Sequence, residues 1–206
     1  MYMDKRERIL DAFQELLREG MAGTASVADI AKKAGIAKGG MYYYFKNKEE
    51  ALDALTQRQY DSVLSACSKS LEEGKQDAVT KMKLLLYVYR NTAVDSAVDK
   101  LLHQTQNAAI HQKSMAHILR GLTPMVTSIF MQGVQEGLFH CDYPEQYAEI
   151  VLCVFVFLID PGVFDWTTEE YRLKLVGVAD LLEKGLETPK GTFAFLYENW
   201  TKQRLL

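Results

Sequence analysis

Three adjacent tyrosines, Tyr42, Tyr43 and Tyr44, lie close behind the glycine pair Gly39 and Gly40, with lysines on both sides. Phenol hydroxyls and ammonium groups can donate hydrogen bonds to phosphate oxygens, and glycines allow a bulky partner to approach the backbone closely. Each glycine weakens a helix by about 1 kcal/mol relative to alanine, so a segment that only packs in a core would gain nothing from the pair. The segment therefore predicts a surface that contacts a phosphate-bearing partner, and packing is the competing interpretation for each ring.

The charge of the chain is distributed unevenly around this segment. The 206 residues carry a formal net charge of −3, which taken alone argues against a nucleic-acid partner. Residues 27–48, however, contain five lysines and one aspartate, a local charge of +4 that leaves −7 for the rest of the chain. A basic patch on an acidic protein is typical of nucleic-acid binding, and a solvated helix face is the simpler alternative.

The composition indicates a soluble globular protein. Hydrophobic residues make up 48% of the chain and charged residues 25%. The longest apolar run, residues 150–159, has about half the length that a membrane-spanning helix needs, so we expect no membrane partner. The three cysteines show no paired spacing and no signal peptide opens the chain, so we expect reduced thiols and a cytoplasmic protein.

The sequence offers no constellation typical of an enzyme or a metal site. It contains no paired nucleophile and base, no glycine-rich phosphate loop, and no set of histidines and cysteines with ligand spacing. On a continuous helix, His103 and His111 would lie about 12 Å apart at a rise of about 1.5 Å per residue, too far to share one metal ion. We therefore expect no catalytic residue, no metal and no cofactor.

Short helices are predicted on both sides of the tyrosines. Apolar residues at helical spacing predict a first helix over residues 4–19. Ser26 can cap a second short helix that ends at Gly35, and a third runs over about residues 37–44. Asn47 can cap a longer fourth helix, and the small unit before it is expected to lean on that helix for stability.

The side chains of the third helix divide into two faces. Met41, Tyr44 and Phe45 follow each other at helical spacing and are expected to pack on the core. The opposite face is expected to point outward, and it consists of Lys38, Gly39, Tyr42 and Tyr43.

The central part of the chain is also predicted to be helical. Apolar periodicity predicts helices over residues 77–91, 94–119 and 121–137. Pro124 either opens the last of these helices or kinks it.

The remaining segments complete an all-α fold class. A capping box at residues 142–145 starts a helix that includes residues 150–159, although these ten residues could instead form a buried strand. A lone strand would have no partner in an all-helical chain, so helix is favoured. A second capping box lies at residues 167–170, and a final short helix opens at Pro189 and includes Trp200.

The second and third helices, with a tight turn at Gly35, have the layout of a helix-turn-helix. The segment SVADIAKKAGIAKGGMYYYFKNKEEAL, residues 26–52, resembles the DNA-binding signature of the TetR family of transcriptional regulators. The resemblance implies a helix-turn-helix DNA-binding domain over residues 1–46 and a helical ligand-binding and dimerisation domain over residues 47–206. The segment QGVQEGLF, residues 132–139, is similar to one found late in the long central helices of such proteins. The matching spacings are those of Ile30-Ala31, Ala34-Gly35, Lys38-Gly39, Tyr42, Phe45 and Lys48-Glu49.

The resemblance also implies roles at the DNA for particular residues. The start of the second helix would offer donors to a phosphate, and the start of the third would approach base edges in the major groove. Many members carry Ser or Thr where this chain has Ala37 and Gly40, which leaves Lys38 as the main side-chain reader, with Lys5 or Arg6 reaching the adjacent groove. The implied phosphate contacts are Ser26, Val27, Tyr42, Tyr43 and Lys48, and the implied base-edge contacts are Lys38, Gly39 and Gly40.

The resemblance further implies a homodimer that represses from a pseudo-palindromic double-stranded DNA operator and is released by a small, largely hydrophobic ligand. The dimer would be built by helices near residues 145–160 and 168–187, where Gly177 allows close approach. A DNA-binding protein controlled by a protein partner, with no small ligand, is the main alternative, and an all-helical enzyme is a more distant one. The pocket candidates, each of which could equally be ordinary core or solvated surface, are Met82, Leu86, Tyr89, His103, Met115, Phe130, Met131 and Phe155.

Overall fold

The computed structural model describes residues 4–21, 24–72, 75–92 and 94–198, and every regular element within them is a helix. This confirms the all-α fold class. Within the same residues, no helix combines the length and apolar character needed to cross a bilayer. The helices are α1 (Lys5–Leu16), α2 (Val27–Lys33), α3 (Lys38–Tyr44), α4 (Lys48–Glu72), α5 (Ala78–Asn91), α6 (Ser96–Leu102), α7 (Ala108–Gln135), α8 (Pro144–Cys153) and α9 (Thr168–Gly185).

Shorter segments extend or link these helices. The π-helical segments Leu17–Met21 and Val154–Leu158 follow α1 and α8, and 3₁₀ turns occupy Thr105–Asn107 and Ala194–Leu196. The described residues fall into two compact units, one within residues 1–62 and 94–114 and the other within residues 63–93 and 115–206. α6 is therefore part of the same unit as α1, α2 and α3. The predicted boundary at residue 46 separates the DNA-binding domain from the ligand-binding domain. The division into compact units does not test that functional boundary, so it stays a prediction.

The first unit is built around one apolar core. Ile9 and Phe13 of α1, Ile30 of α2 and Met41 of α3 are fully buried in it. Three short helices bury too little surface to be stable alone, and the core confirms that they lean on α4. α4 contributes the buried residues Ala51, Leu52 and Leu55 to this core, and α6 contributes Val98, Leu101 and Leu102.

Local capping signals start three helices where the sequence predicts them. Ser26 and Asp29 form a reciprocal capping box at α2, and Thr167 and Glu170 form another at α9. At α4, the Asn47 side chain accepts a hydrogen bond of 2.7 Å from the backbone N–H three residues further on. These bonds satisfy N–H groups that have no partner within the helix.

The end of α7 accounts for the glycines of the segment QGVQEGLF. The N–H of Leu138 donates to the Gly133 carbonyl at 2.8 Å, and the N–H of Gly137 donates to the Val134 carbonyl at 3.1 Å. Gly137 has a φ of 70°, the left-handed conformation with which glycine commonly ends a helix. A Cβ on Gly133 would lie 2.0 Å from Cδ2 of Phe139, so this helix end requires both glycines.

In the second unit, α8 and α9 pack in antiparallel fashion. The Tyr147 ring near the start of α8 lies against Gly185 at the end of α9. At the other end, the Tyr171 hydroxyl of α9 donates to the Ile159 carbonyl at 2.9 Å. Residues 150–158 lie in α8 and its π-helical extension, so the strand alternative is wrong.

The helix predicted over residues 94–119 is broken in the structure. α6 ends before the 3₁₀ turn, and α7 then continues through Pro124, which lies inside a helix instead of opening one. The Asn107 side chain donates from Nδ2 to the Leu101 carbonyl at 2.7 Å. The same carbonyl accepts the Gln104 backbone N–H at 3.2 Å, so the Asn107 side chain adds a second bond at the end of α6 and stabilises the break.

Two further predictions need correction. Tyr143, not Asp142, is the N-cap of α8; it makes no side-chain cap bond, and Pro144 takes the first helical position. The final helix is only the 3₁₀ turn Ala194–Leu196, and Trp200 lies outside the described residues.

Candidate nucleic-acid interface

α3 presents the two faces that its sequence predicts. Met41 and Phe45 are buried in the core of the first unit, and Tyr44 packs half-buried against that core. On the other face, Tyr42 is 50% exposed and Tyr43 is 84% exposed. Two large rings exposed side by side form a surface that a partner can cover.

The glycine pair lies at the exposed start of α3 and is not required by packing. A Cβ on Gly39 would meet no heavy atom within 4 Å, and one on Gly40 would make only ordinary contact with Ile36 at 3.9 Å. Neither glycine has a positive φ. The first turn of α3 therefore offers bare backbone beside the exposed Lys38, and the fold itself gives no reason for glycine there.

The start of α2 is closed by its own capping box. The Ser26 hydroxyl donates to Oδ2 of Asp29 at 2.6 Å, and the Ser26 N–H donates to the same oxygen at 2.9 Å. These bonds from Ser26 hold the pKa of Asp29 below its ordinary value, so the carboxylate stays charged at this helix end. The hydroxyl of Ser26 is thus already in use, and the predicted phosphate contact here would have to come from backbone N–H groups around Val27.

One of the five lysines of the basic segment serves the fold. Nζ of Lys33 lies 2.5 Å from a carboxylate oxygen of Glu19 and 3.4 Å from one of Glu15. The hydrogen bond to Glu19 raises the pKa of Lys33, and the pairing holds α2 on the α1 segment. The other lysines are Lys32, Lys38 and Lys46, which are exposed, and Lys48, which is half-buried beside a cavity of about 130 Å³.

α1 holds the turn between α2 and α3 in place. Nη2 of Arg8 donates to the Ala34 carbonyl at 2.6 Å. Gly35, the next residue, has a φ of 66°, and a Cβ there would lie 3.0 Å from the same Arg8 nitrogen. The Arg6 guanidinium lies over the Phe45 ring at 5.3 Å from its centroid. The sequence motif did not indicate Arg8, because its partner is a backbone carbonyl 26 residues away.

These elements together have the layout of a helix-turn-helix. Two seven-residue helices, α2 and α3, are joined by a tight turn at Gly35 and held by α1. The outer face of the second helix is basic and aromatic, and an α-helix fits the major groove of B-DNA. The arrangement can therefore place a reading helix against base edges while lysines and tyrosines meet phosphates.

One groove in the second unit differs from the predicted ligand pocket. It has a volume of about 880 Å³ and lies between the outer side of α7 and the start of α8. Met131 is the only one of the eight predicted pocket residues that lines this groove, and its other lining residues include Arg120, Glu145 and Glu149. Eight of its eleven lining residues are polar, whereas the sequence led us to expect an apolar wall.

The other predicted pocket residues are placed as follows. Phe130 is fully buried, with its ring centroid 6.1 Å from that of Phe139. Phe155 packs in the apolar cluster around Tyr171 and Leu175. Met82, Leu86 and Tyr89 lie half-buried on α5, Met115 lies half-buried on α7, and His103 belongs to the first unit. The pocket stays a prediction.

His103 and His111 lie closer together than expected. Their ring centroids are 4.7 Å apart, and Nδ1 of His103 lies 3.6 Å from a carboxylate oxygen of Asp99. The distance of about 12 Å for a continuous helix is wrong because the chain leaves α6 and turns before it enters α7. The spacing therefore no longer argues against a shared metal, and the absence of a metal stays a prediction.

Two family models match this chain. The model described as bacterial regulatory proteins, tetR family, matches residues 9–55, which contain the helix-turn-helix. The model described as tetracyclin repressor-like, C-terminal domain, matches residues 90–181. The chain belongs to the TetR family. TetR-family members are transcriptional regulators, so the chain is a DNA-binding regulator and not an enzyme.

Similar proteins cover nearly the whole TetR-family chain. The fatty acid metabolism regulator protein of Bacillus subtilis (strain 168) is 28% identical over 192 residues, which span 88% of this chain and 95% of that protein. The solved structure of the fatty acid degradation regulator FadR from Bacillus halodurans has a TM-score of 0.61 at 24% identity and covers 92% of this chain and 100% of its own. FadR from Bacillus subtilis in complex with stearoyl-CoA has a TM-score of 0.54 at 24% identity and covers 87% of this chain and 98% of its own. These two structures share the fold of this chain.

Proposed function

We propose that this TetR-family chain is a dimeric transcriptional repressor that a long-chain fatty acyl-CoA releases from its operator. Residues 1–46 bind DNA, and residues 47–206 bind the effector and a second copy of the chain. The observation that carries the DNA-binding part is the first turn of α3, where glycines without a packing role lie beside the exposed Lys38. A transcriptional regulator of this kind acts on chromosomal DNA, so we place the protein in the cytoplasm.

In this proposal, Lys38 is the main reader of sequence. Its ammonium group lies at the exposed start of α3 and can donate to O6 and N7 of guanine in the major groove. Gly39 and Gly40 let the backbone come close to the neighbouring base edges. The phosphates are held by Tyr42, Tyr43 and Lys48, with backbone N–H groups around Val27 at the start of α2, which Ser26 caps.

The homodimer is supported by apolar side chains that α8 and α9 present outward from the second unit. Ile150 of α8 is 65% exposed and Leu181 of α9 is 70% exposed. A Cβ on Gly177 would meet no atom within 4 Å, so the chain's own packing does not need a glycine there. A second copy docked on these helices would cover the apolar surface, and it would present two copies of α3 about 34–36 Å apart. The other exposed side chains of this surface are Cys153, Phe157 and Leu173.

The class of effector is inferred from similar proteins. The relative aligned along nearly its whole length regulates fatty acid metabolism, and the Bacillus subtilis FadR structure contains stearoyl-CoA. The acyl chain of such a ligand suits the apolar residues predicted for the pocket, which α5 carries at Met82, Leu86 and Tyr89. Its phosphates and amides would need polar partners closer to the surface.

The DNA-binding part is tested by selecting binders from random duplexes with the wild-type chain. The selected operator is then compared for Lys38→Gln and Lys48→Gln, which remove the same charge from two different places. Lys38→Gln is expected to relax selectivity at one base pair, whereas Lys48→Gln weakens all sequences about equally and lowers the salt slope by about 1. Equal loss of selectivity in both variants would contradict these roles.

The effector is tested by adding stearoyl-CoA to the operator complex, with free coenzyme A and stearate as controls. Release of DNA by stearoyl-CoA alone supports the proposal. If none of the three compounds changes operator affinity while the purified chain still binds DNA, the acyl-CoA assignment fails. Control by a protein partner then becomes the leading alternative.

A further inference from the structure

An aspartate at the start of α6 is bonded to two other helices of the first unit. Asp95 is the N-cap of α6 and accepts a hydrogen bond from the Ala97 N–H at 2.9 Å. Its other carboxylate oxygen accepts hydrogen bonds from Nε2 of Gln14 at 3.0 Å and from Nε of Arg18. Its backbone N–H donates to Oε1 of Gln59 on α4 at 2.8 Å. One residue thus links α6 to α4 and to the α1 segment.

The same face of α1 is also bonded to α4 by Arg58. Nη1 of Arg58 lies 2.9 Å from Oε2 of Glu7 and 2.8 Å from Oδ1 of Asp11, and Nη2 donates to Oε1 of Gln14 at 3.2 Å. These α1 residues follow each other at helical spacing, and Arg18 continues their line. The result is a polar seam between α1 and α4 that ends at the N-cap of α6.

The Asp95 carboxylate accepts more hydrogen bonds than helix capping requires. Its side chain is only 10% exposed. Burial raises the pKa of Asp95, but hydrogen bonds from Gln14, from a backbone N–H and from Arg18 outweigh it and keep the pKa below the ordinary value. Asp77, the exposed N-cap of α5, performs the capping task with a 2.7 Å bond from the Thr80 N–H. The contacts of Asp95 to α1 are therefore additional to capping.

α1 in turn holds the DNA-reading motif. Arg8 donates to the Ala34 carbonyl at 2.6 Å, and Glu19 in the segment after α1 pairs with Lys33 of α2. A short hydrogen-bonded path therefore runs from Asp95 through α1 to the turn that precedes α3.

We propose that Asp95 is a positioning residue for DNA recognition: it fixes α1 against α4 and α6, and α1 fixes the turn that orients α3. The proposal rests on the proposed reading role of α3. Base contacts need accurate placement of α3, whereas attraction to phosphates tolerates small displacements. Loss of the Asp95 contacts therefore lowers affinity for the operator much more than affinity for random DNA.

The test compares Asp95→Asn with the matched control Asp77→Asn in the full chain. Asparagine caps helices about as well as aspartate, so each variant loses one charge and keeps its cap. Affinities for the selected operator and for a random duplex are measured by fluorescence anisotropy, at a temperature at which circular dichroism confirms that the chains are folded. Asp95→Asn is expected to lose about tenfold in operator affinity, with its random-duplex affinity and both affinities of Asp77→Asn unchanged. Unchanged operator affinity in Asp95→Asn, an equal loss on both duplexes, or an equal loss in Asp77→Asn would overturn the proposal.

Substitutions of Arg18 test the same Arg18–Asp95 contact from the arginine side. Arg18→Gln removes the charged partner of Asp95, and Arg18→Lys keeps the charge and a donor. Arg18→Gln is expected to lose operator affinity as Asp95→Asn does, Arg18→Lys to recover most of it, and the double variant Arg18→Gln/Asp95→Asn to lose no more than either single one. Additive losses, or a lysine variant as weak as the glutamine one, would refute the assignment.

The Arg18 variants also serve if Asp95→Asn does not fold, because the Arg18 side chain lies at the surface. A failure of the proposed reading role of α3 is distinguished by the Lys38→Gln variant. In that case Lys38→Gln leaves selectivity unchanged, whatever the Asp95 and Arg18 variants do.

Discussion

Gly39 lies in the first turn of α3, where an added Cβ would meet no atom within 4 Å. A helix gains about 1 kcal/mol when an exposed interior glycine becomes alanine, so folding alone would favour alanine at this position. A methyl group on the outer face of α3 would, however, keep the backbone away from the base edges. The packing of the chain does not explain the glycine, and the proposed approach of DNA to this turn does.

Gly39→Ala is therefore expected to stabilise the protein and to weaken operator binding. Stability rises by up to about 1 kcal/mol, seen as a higher midpoint of thermal unfolding. Operator affinity falls by about tenfold, equivalent to about 1.4 kcal/mol, when measured by anisotropy at constant salt. Random-duplex affinity serves as the internal control and stays near the wild-type value. A variant that gains stability and keeps full operator affinity would mean that DNA does not approach Gly39.

For single residues, the sequence predicted which side chains face outward better than it predicted their hydrogen-bond and ion-pair partners. Helical spacing alone placed Tyr42 and Tyr43 outward and Tyr44 against the core, because those positions are set within one helix. It did not predict that Lys33 would pair with Glu19, or that Arg8 would hold the turn before α3. Both contacts depend on how a neighbouring helix packs, and a local pattern does not contain that information.

At the scale of the element, the end of α7 has a glycine that packing does require. A Cβ on Gly133 would lie 2.0 Å from Cδ2 of Phe139. The Phe139 ring cannot easily withdraw, because it is buried between Phe130 and Phe193, with centroid distances of 6.1 Å and 5.9 Å. This glycine therefore has the opposite role from that of Gly39.

Gly133→Ala is expected to destabilise the second unit, in contrast to Gly39→Ala. Forcing a methyl group into a packed core costs about 1–3 kcal/mol, which outweighs the gain in helix propensity. Denaturant unfolding should give a lower midpoint than for the wild type, and Phe139→Leu in the Gly133→Ala background should recover part of the loss by making room. A Gly133→Ala protein as stable as the wild type would mean that the α7 end adapts at little cost.

Most helix starts were predicted correctly, apart from that of α8, whereas the break between α6 and α7 was not predicted. The capping boxes at Ser26 and Thr167 are formed by residues three apart, so the sequence contains the whole interaction. The break between α6 and α7 depends on Asn107 reaching the Leu101 carbonyl and on apolar residues that join the core of the first unit. The break also brings the rings of His103 and His111 together, with their centroids 4.7 Å apart.

At the scale of the whole molecule, the family and its helical fold followed from about thirty residues of motif, whereas the effector site did not. The proposed DNA-reading surface lies in one continuous segment, so local spacing is enough to predict it. A ligand pocket gathers side chains from several helices, and of the eight candidates only Met131 lines the 880 Å³ groove of the second unit. The sequence also did not indicate that α6 shares a compact unit with α1, α2 and α3, which is the basis for the role assigned to Asp95.

The final prediction concerns assembly. Leu181 on α9 and Tyr87 on α5 are both large, exposed side chains of the second unit, with exposures of 70% and 64%, and only Leu181 lies on the proposed dimer surface. Leu181→Glu would bury an unpaired charge in that surface, so we expect monomers in sedimentation velocity, while the matched control Tyr87→Glu stays dimeric. Because two linked half-site contacts exceed one by about 10²-fold or more, Leu181→Glu should lose at least that factor on the full operator and keep wild-type affinity for an isolated half-site. A dimeric Leu181→Glu, or dissociation in both variants, would move the interface away from α9.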